Sequence, residues 1–556
     1  MEGDLKEEPK EERSFLPPAL QGLYNGVRDG IKRSTIRIKE WYEGIFAGND
    51  LLYMLTYMAS ISTAKISRDE IFKRTGKKEE FISSKYIDTI RKLVQEWHYD
   101  YSAACNAVAD KVKDNRTTDM LDRMGNAIKS GEPDEEFLMG ELKTTQTITK
   151  NRYEMDLETL RKANDAFTAL LISASVVSII VLLSVAIYGS SEVGKMLYLS
   201  AFVVGITSAF SIFLLFSASP KEFKTHPLPN RSKEQKMIDY WQRICIPLAI
   251  ILPLLIVIFV SSSEAFPFFK EALAFISFGI ILLPLGLIGR RDDKNIDKRD
   301  LEYPGFIKGL GSIMSASGMT IQNAMEKVDR ETLPSLRGMI NTLQKRLKTG
   351  LNPDICWNRF VGESGSNLIY KFTGIFTDSI KLGGEAEHVG NLASSSSLES
   401  VLLRMKRDVE SSQFTTLVLP LHVSMLAILL CVSQVLVIFS NLLGGMMANF
   451  GAAEGALSDI PGIGSLGFGM FTGVSTGHMH SYVLIITIII TIASIVACKI
   501  VKGGGYYSYF YYGSIFSILS GVILISVPFL IGLILNVAQF QIPVGTVPTN
   551  IPGGGF

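Results

Sequence analysis

Few residues in this 556-residue chain combine a type and a spacing that could do chemistry. His478 and His480 sit two apart, which could hold a metal from an extended strand, but the glycine-rich surroundings supply no third ligand nearby. Gly189-Ser-Ser-Glu-Val-Gly194-Lys195 opens like a phosphate-binding loop, yet Met196 stands where Ser or Thr would have to hold magnesium. His422 is the one ionisable residue within the long apolar stretches, a place where such residues often mark an ion or substrate path. A hydrogen-bonded interfacial histidine is the simpler reading. Cys105, Cys245, Cys356, Cys431 and Cys498 are scattered singly, which excludes a disulfide scaffold and a thiolate zinc site. No polar cluster suits a nucleophile or an acid–base pair. The expectation is therefore no catalytic residue, no cofactor, no metal site, no ATPase and no enzyme.

The elements that would position any function are set by the hydropathy. Hydrophobic residues make up 47% of the chain and charged residues only 20%, below the roughly 25% of a soluble domain. The 55 basic and 54 acidic residues cancel, so no nucleic-acid partner is expected. Seven uncharged stretches approach the length of about 20 residues needed to cross a bilayer: 167–188, 196–216, 245–260, 272–289, 416–442, 483–498 and 514–535. The third and sixth are short. Lys221, Lys224, Arg231, Lys233, Lys236 and Arg243 crowd one connecting loop, and Lys499 and Lys502 another, whereas 443–482 and the tail after 535 have no Lys or Arg. The positive-inside rule then puts the amino terminus and two large polar regions in the cytoplasm and the carboxyl terminus outside, in a multi-pass cell-membrane protein.

The expected fold is all-α, with about seven transmembrane helices and two cytoplasmic helical bundles related by internal duplication. Residues 1–13 read as a disordered acidic tail without a signal peptide. Residues 14–166 read as the first bundle, 167–289 as four spans, 290–415 as the second bundle, and 416–556 as three spans with a Gly-rich outer loop and an outer tail. Helical stripes support both bundles: Ile87, Ile90, Leu93, Val94 and Trp97 in one, Leu336, Met339, Ile340, Leu343 and Leu347 in the other. At an offset of 253 residues, Ser62–Ser67 aligns with Ser315–Thr320, and Ile87, Ile90 and Val94 fall on Ile340, Leu343 and Leu347. Further on, Gly131-Glu132 matches Gly383-Gly384-Glu385, and the span near Phe167 lands on that near Pro420.

Off the apolar stripes lie Arg91 and Lys92 in the first region and Arg337, Lys345, Arg346 and Lys348 in the second. They form either a solvated face or a docking face for an acidic cytoplasmic partner. The Gly-Glu turns have a sufficient structural reason: a left-handed glycine ends one helix and an acid opens the next.

The stretch Ser379-Ile-Lys-Leu-Gly-Gly-Glu385-Ala-Glu-His-Val-Gly390-Asn-Leu392-Ala, preceded by a helical region and followed by a span, resembles the type II secretion system F domain family. There a Gly-Glu turn followed by a Gly-x-Leu element joins two long helices. The first copy departs from the pattern, because Pro133 follows Glu132 and the Gly-x-Leu element is lost at Glu136-Phe137-Leu138. The twice-repeated, seven-span form resembles the archaeal branch of that family. The resemblance implies an integral membrane platform of an archaeal type IV pilus-like machine, with archaellum assembly and rotation ahead of an adhesive pilus. It further implies a cytoplasmic hexameric ATPase, prepilin-like archaellin subunits, the lipid bilayer and further copies of the chain as partners. A polytopic transporter is the alternative of a different class.

Overall fold

The computed structural model describes residues 50–188, 193–260, 267–454 and 476–537. All extended regular elements among them are helices, with one isolated antiparallel bridge between Thr225 and Ser366. Two compact units divide at Thr145 and Gln146.

The described part of the first unit opens with a helix over 50–62 (α1), whose run Leu51-Leu-Tyr-Met-Leu-Thr-Tyr-Met58 is apolar on nearly every face and is buried throughout. Around it fold α2 (Arg68–Gly76), α3 (Ser84–Trp97), α4 (Tyr101–Ala109), α5 (Asn115–Ser130) and the first turns of α6 (Asp134–Tyr188). Each start has a local cause: Ser67, Asp100 and Asp114 accept backbone N–H groups as N-caps of α2, α4 and α5. Asp134, Glu135 and Glu136 suit the positive end of the α6 dipole, and Asp134 also pairs with Arg68 at 2.8 Å. Of the expected stripe on α3, Ile87 and Ile90 are buried, but Trp97 is 70% exposed. The helix ends there because His98 turns left-handed at φ 55°, so the last turn stands clear of the packed face.

The second unit holds the rest of α6, then α7 (Val193–Ala218), α8 (Lys233–Phe259), α9 (Phe269–Ser317), α10 (Ile321–Lys327), α11 (Arg337–Lys348), α12 (Pro353–Ser364), α13 (Asn367–Lys381), α14 (Ala386–Glu454), α15 (Thr476–Lys502) and α16 (Ser508–Val537). Among the described residues seven helices, α6, α7, α8, α9, α14, α15 and α16, are long and apolar enough to cross a membrane. The two stretches that looked short, 245–260 and 483–498, lie in helices of 27 residues each, because their polar flanks stay helical. The same effect makes α6, α9 and α14 run 55, 49 and 69 residues without a break. At about 1.5 Å per residue they extend well beyond the roughly 30 Å of hydrocarbon.

One expectation needs correction. The outer connector was read from Leu443, yet α14 continues through Glu454, so Gly444, Gly445 and Gly451 are helical, and Gly477 lies in α15. Glycine is tolerated in membrane helices, and apolar Met446, Met447 and Phe450 between them favour continuation. The remaining loop glycines, the tails at 1–49 and 538–556, and residues 189–192 of the phosphate-loop-like segment lie outside the described residues.

In the span region Leu426, Leu429 and Leu430 of α14 pack with Tyr482, Val483 and Ile486 of α15 and with Leu197 and Val204 of α7. Helices α9 and α16 also approach closely. A Cβ on Gly286 would stand 2.6 Å from the Tyr511 Cα, and one on Gly521 would stand 2.7 Å from the Ala272 carbonyl oxygen. Small residues let backbones meet where lipid offers no hydrophobic drive. Beyond the spans, Tyr303, Phe306, Phe360, Phe372 and Phe376 fill a second core among α9, α12 and α13. Gly311 of α9 crosses Gly390 of α14 there, with a Cβ on Gly390 only 3.2 Å from the Gly311 Cα.

Candidate functional site: a buried charge junction

Loop 219–232, between α7 and α8, lies against α9, α12, α13, α14 and the end of α15. Its attachment begins in the backbone: the Asn367 N–H donates to the Lys224 carbonyl at 2.9 Å beside the Thr225 bridge to Ser366. His226 is 7% exposed. Its Nδ1 accepts the Leu228 N–H at 3.1 Å and its Nε2 lies 3.1 Å from the Gly362 carbonyl. That arrangement requires the neutral ring with its proton on Nε2, and burial correspondingly lowers the His226 pKa.

Carboxylates from one stripe of α9 meet this loop. Asp292 is fully buried and takes hydrogen bonds from Ser232 (2.9 Å), Gln235 (3.1 Å) and Tyr507 (3.1 Å). Asp293 and Asp297 pair with Lys224 at 3.4 and 2.7 Å. Burial opposes the Lys224 charge, yet the two aspartates outweigh it and hold its pKa above the ordinary lysine value. Burial, then the charges of Asp293 and Asp292, push the Tyr507 phenol up, so it stays a donor to both. Asp300 pairs with Arg404 at 2.7 Å, and Arg404 also binds Glu222 of the loop.

Arg407, one turn along α14 from Arg404, has no carboxylate partner among the described residues. Its buried guanidinium donates to the Val501 (3.1 Å), Ile500 (2.9 Å) and Pro220 (2.9 Å) carbonyls and to the Ser219 hydroxyl (2.8 Å). Ile500 and Val501 belong to the last turn of α15, whose carbonyls lack intrahelical donors and carry the negative end of the dipole. Gly503, at φ 70°, makes room, since a Cβ there would meet the guanidinium carbon at 2.7 Å. Next to it Lys502 pairs with Asp408 at 2.7 Å. One stretch of α14 is thus bonded to α9, to the end of α15 and to loop 219–232.

The residues singled out from sequence fall elsewhere. Arg91 and Lys92 both turn to Asp88, Arg346 pairs with Glu363, and Lys348 pairs with Glu326 at 2.6 Å. Arg337 and Lys345 are exposed and form no ion pair among the described residues. The glycine turns repeat in detail. Gly131 has φ 77° and the next residue, Glu132, donates to Ala127 O; Gly383 has φ 88° and Gly384 donates to Ser379 O. Both are Schellman closures, leading into α6 and α14. Glu132 and Glu385 are exposed, Leu392 is half-buried, and Gly390 serves the crossing with Gly311.

His422 is fully buried between helices and hydrogen-bonded, as expected, by Ser494 (3.1 Å) and Ser520 (2.9 Å). His478 meets the edge of Tyr198, whereas His480 bonds Glu271 at 3.1 Å and stacks on Phe268. The two histidines therefore serve different neighbours, and no group of three or more metal-ligating side chains occurs among the described residues.

With a helical bundle that feeds long helices into spans, comparison with known proteins becomes informative. Residues 54–182 match the family of type II secretion system (T2SS) protein F. That match covers α2 to α5 and most of α6, whereas the Gly383 to Leu392 motif lies outside it. The chain is also similar to "Flagella accessory protein J" of Methanocaldococcus jannaschii, 23% identical over 384 residues, 66% of this chain and 66% of that protein. A protein of the same name from Methanococcus voltae is 21% identical over 417 residues, 74% of this chain and 72% of that one. The first match thus spans just under two thirds of the relative's own length. No solved structure matches. The match to protein F and the seven long apolar helices among the described residues together describe a multi-pass membrane protein.

Proposed function

We propose that this chain is the membrane platform of an archaeal type IV pilus-like machine, above all an archaellum. It would receive movement from a cytoplasmic hexameric ATPase and pass it to the filament subunits in the bilayer. The observation that carries this reading is α14: one helix leads from the Gly383 turn into a span, and Arg404 and Arg407 along it hold α9, loop 219–232 and the end of α15. A tilt or rotation of its polar half would be felt at several spans together. The name shared by the two archaeal relatives supports the archaellum over other filaments. In this reading the amino terminus and both bundles face the cytoplasm, the carboxyl terminus lies outside, and the platform works as a homo-oligomer.

The two bundles are read as copies of one unit. Left-handed residues Lys65, His98 and Gly131 precede Gly318, Gly350 and Gly383 by 253, 252 and 252 residues. The helix caps Ser67, Asp100 and Asp114 precede Thr320, Asn352 and Ser366 by 253, 252 and 252. Chain direction changes at matching places, which favours duplication over two unrelated bundles.

For ATPase docking the reading narrows to Arg337 and Lys345, because the other four cations already have acidic neighbours within the chain. Reversing both charges in full-length protein should weaken capture of the cognate ATPase, while reversing Arg91 should have little effect; equal capture by all three proteins would remove this face from the proposal. The function itself is tested by gene deletion. Bald, non-swimming cells are expected, and normally filamented cells would refute the platform role.

A further inference from the structure

A cleft of ≈ 500 Å³ opens between α9, α14 and the start of α16. All three helices change there from polar to apolar. On α9 the stretch ending at Gly289 is followed by Arg290, on α14 Ser411 and Ser412 precede the stretch starting at Thr416, and on α16 Tyr511 and Tyr512 precede that starting at Ser514. The cleft therefore lies at the level of lipid headgroups, where tyrosines are also enriched.

The charges around it are unequally satisfied. Its carboxylates already have cations: Asp293 and Asp297 share Lys224, and Asp408 holds Lys502 at 2.7 Å. Arg290 and Lys294, one helical turn apart, are exposed and have no carboxylate within ion-pair distance among the described residues. Arg290 is nevertheless held in place: its guanidinium carbon lies 4.6 Å from the centre of the Tyr511 ring and it donates to the Tyr511 hydroxyl. That bond leaves the phenol proton free to donate. The Ser412 hydroxyl makes no hydrogen bond among the described residues and lines the same cleft. Two uncommitted cations with two free hydroxyl donors match a tetrahedral dianion or a phosphodiester, which offers only acceptors.

We propose that this cleft binds a phosphate group, with Arg290 and Lys294 as its cations and Ser412 and Tyr511 as its hydroxyl ligands. Its volume leaves room for a phospholipid headgroup around that phosphate, and free phosphate presents the same chemistry. Basic residues near an anionic lipid surface are each worth about fivefold in affinity, so removing two should weaken binding roughly thirtyfold.

The test is native mass spectrometry of the full-length protein in mild detergent, titrated with phosphatidylglycerol. Arg290→Gln with Lys294→Gln should lose tight retention, whereas Lys298→Gln, an exposed cation of α9 outside the cleft, should keep it. Unchanged affinity in the double variant would overturn the proposal. If the double variant does not fold, Tyr511→Phe takes its place, with about a fivefold loss expected for one hydrogen bond and no loss overturning the assignment. Displacement of the lipid by millimolar inorganic phosphate would identify free phosphate as a ligand of the same site, and retention against it would identify the phospholipid.

Discussion

Arg407 offers the sharpest test of how α14 is joined to its neighbours. Arg407→Ala removes four hydrogen bonds from a charged donor, each worth about 1.5–3 kcal/mol net. Three carbonyls and a hydroxyl are left without their donor, and ending the burial of a guanidinium offsets part of that loss, so the net cost should be about 3–5 kcal/mol. The loss falls on the end of α15 and the start of loop 219–232. Two amides report on those places: Gly503 N–H, bonded to Lys499 O at 2.9 Å, and Ser219 N–H, bonded to Leu215 O at 3.0 Å. At a factor of ten per 1.4 kcal/mol, local opening should become between about a hundred and a few thousand times more frequent. Hydrogen exchange of solubilised protein, read on peptides covering 215–225 and 497–505, measures it. Arg407→Lys should fall between the native protein and Arg407→Ala, because a point ammonium cannot reach all three carbonyls and the Ser219 hydroxyl at once. A folded Arg407→Ala protein with unchanged protection at Ser219 and Gly503 would refute the reasoning.

Gly286→Ala should destabilise by about 1–3 kcal/mol, since its Cβ would collide with Tyr511 backbone, whereas Gly305→Ala, a helical position with open space around it, should stabilise by about 0.5–1 kcal/mol. Thermal melting of the two variants in detergent checks the pair, and equal shifts would contradict the close α9–α16 approach. His226 makes stability pH-dependent: its folded pKa lies below the unfolded value of about 6.5, so its contribution is complete above that pH and declines as pH falls below it. His226→Gln should therefore lower the melting temperature at pH 7.5, with the gap to the native protein narrowing at pH 5.5; a gap independent of pH would sink this account.

The seven spans were legible because about 20 apolar residues in a row carry their own signal, whatever they pack against. Helix ends were not, since hydropathy marks where the bilayer stops rather than where the helix does. Pro304 stands inside α9 well after its apolar stretch ends, and Arg404 and Arg407 stand inside α14 well before its apolar stretch begins. The left-handed glycines were legible too, because position 131 and position 383 need a conformation few other residues adopt. The charge junction was missed for a definite reason. Arg404, Arg407 and Asp408 carry no local pattern that marks them as buried, and their partners lie about a hundred or more residues away in loop 219–232, on α9 and at the end of α15. One signal was available: Asp293, Ile296, Asp300 and Tyr303 recur at helical spacing, placing acids on the same stripe as core residues. Likewise the basic faces could not be sorted into free and paired cations, because Glu326 and Glu363 reach Lys348 and Arg346 only in the folded chain.

Among the apolar helices α8 stands apart. Only 11% of its apolar window is buried within the chain, against 33–50% for the other six. Ile250, Leu254, Ile258 and Phe259 present their sides outward. In water that surface would drive aggregation, but acyl chains receive any branched or aromatic hydrocarbon about equally well. Side-chain identity along α8 is then almost interchangeable, and what must be kept is its length, its apolar character and the polar anchor at Ser232. Residue-by-residue comparison between distant relatives should fade first along this helix, even where the function is unchanged.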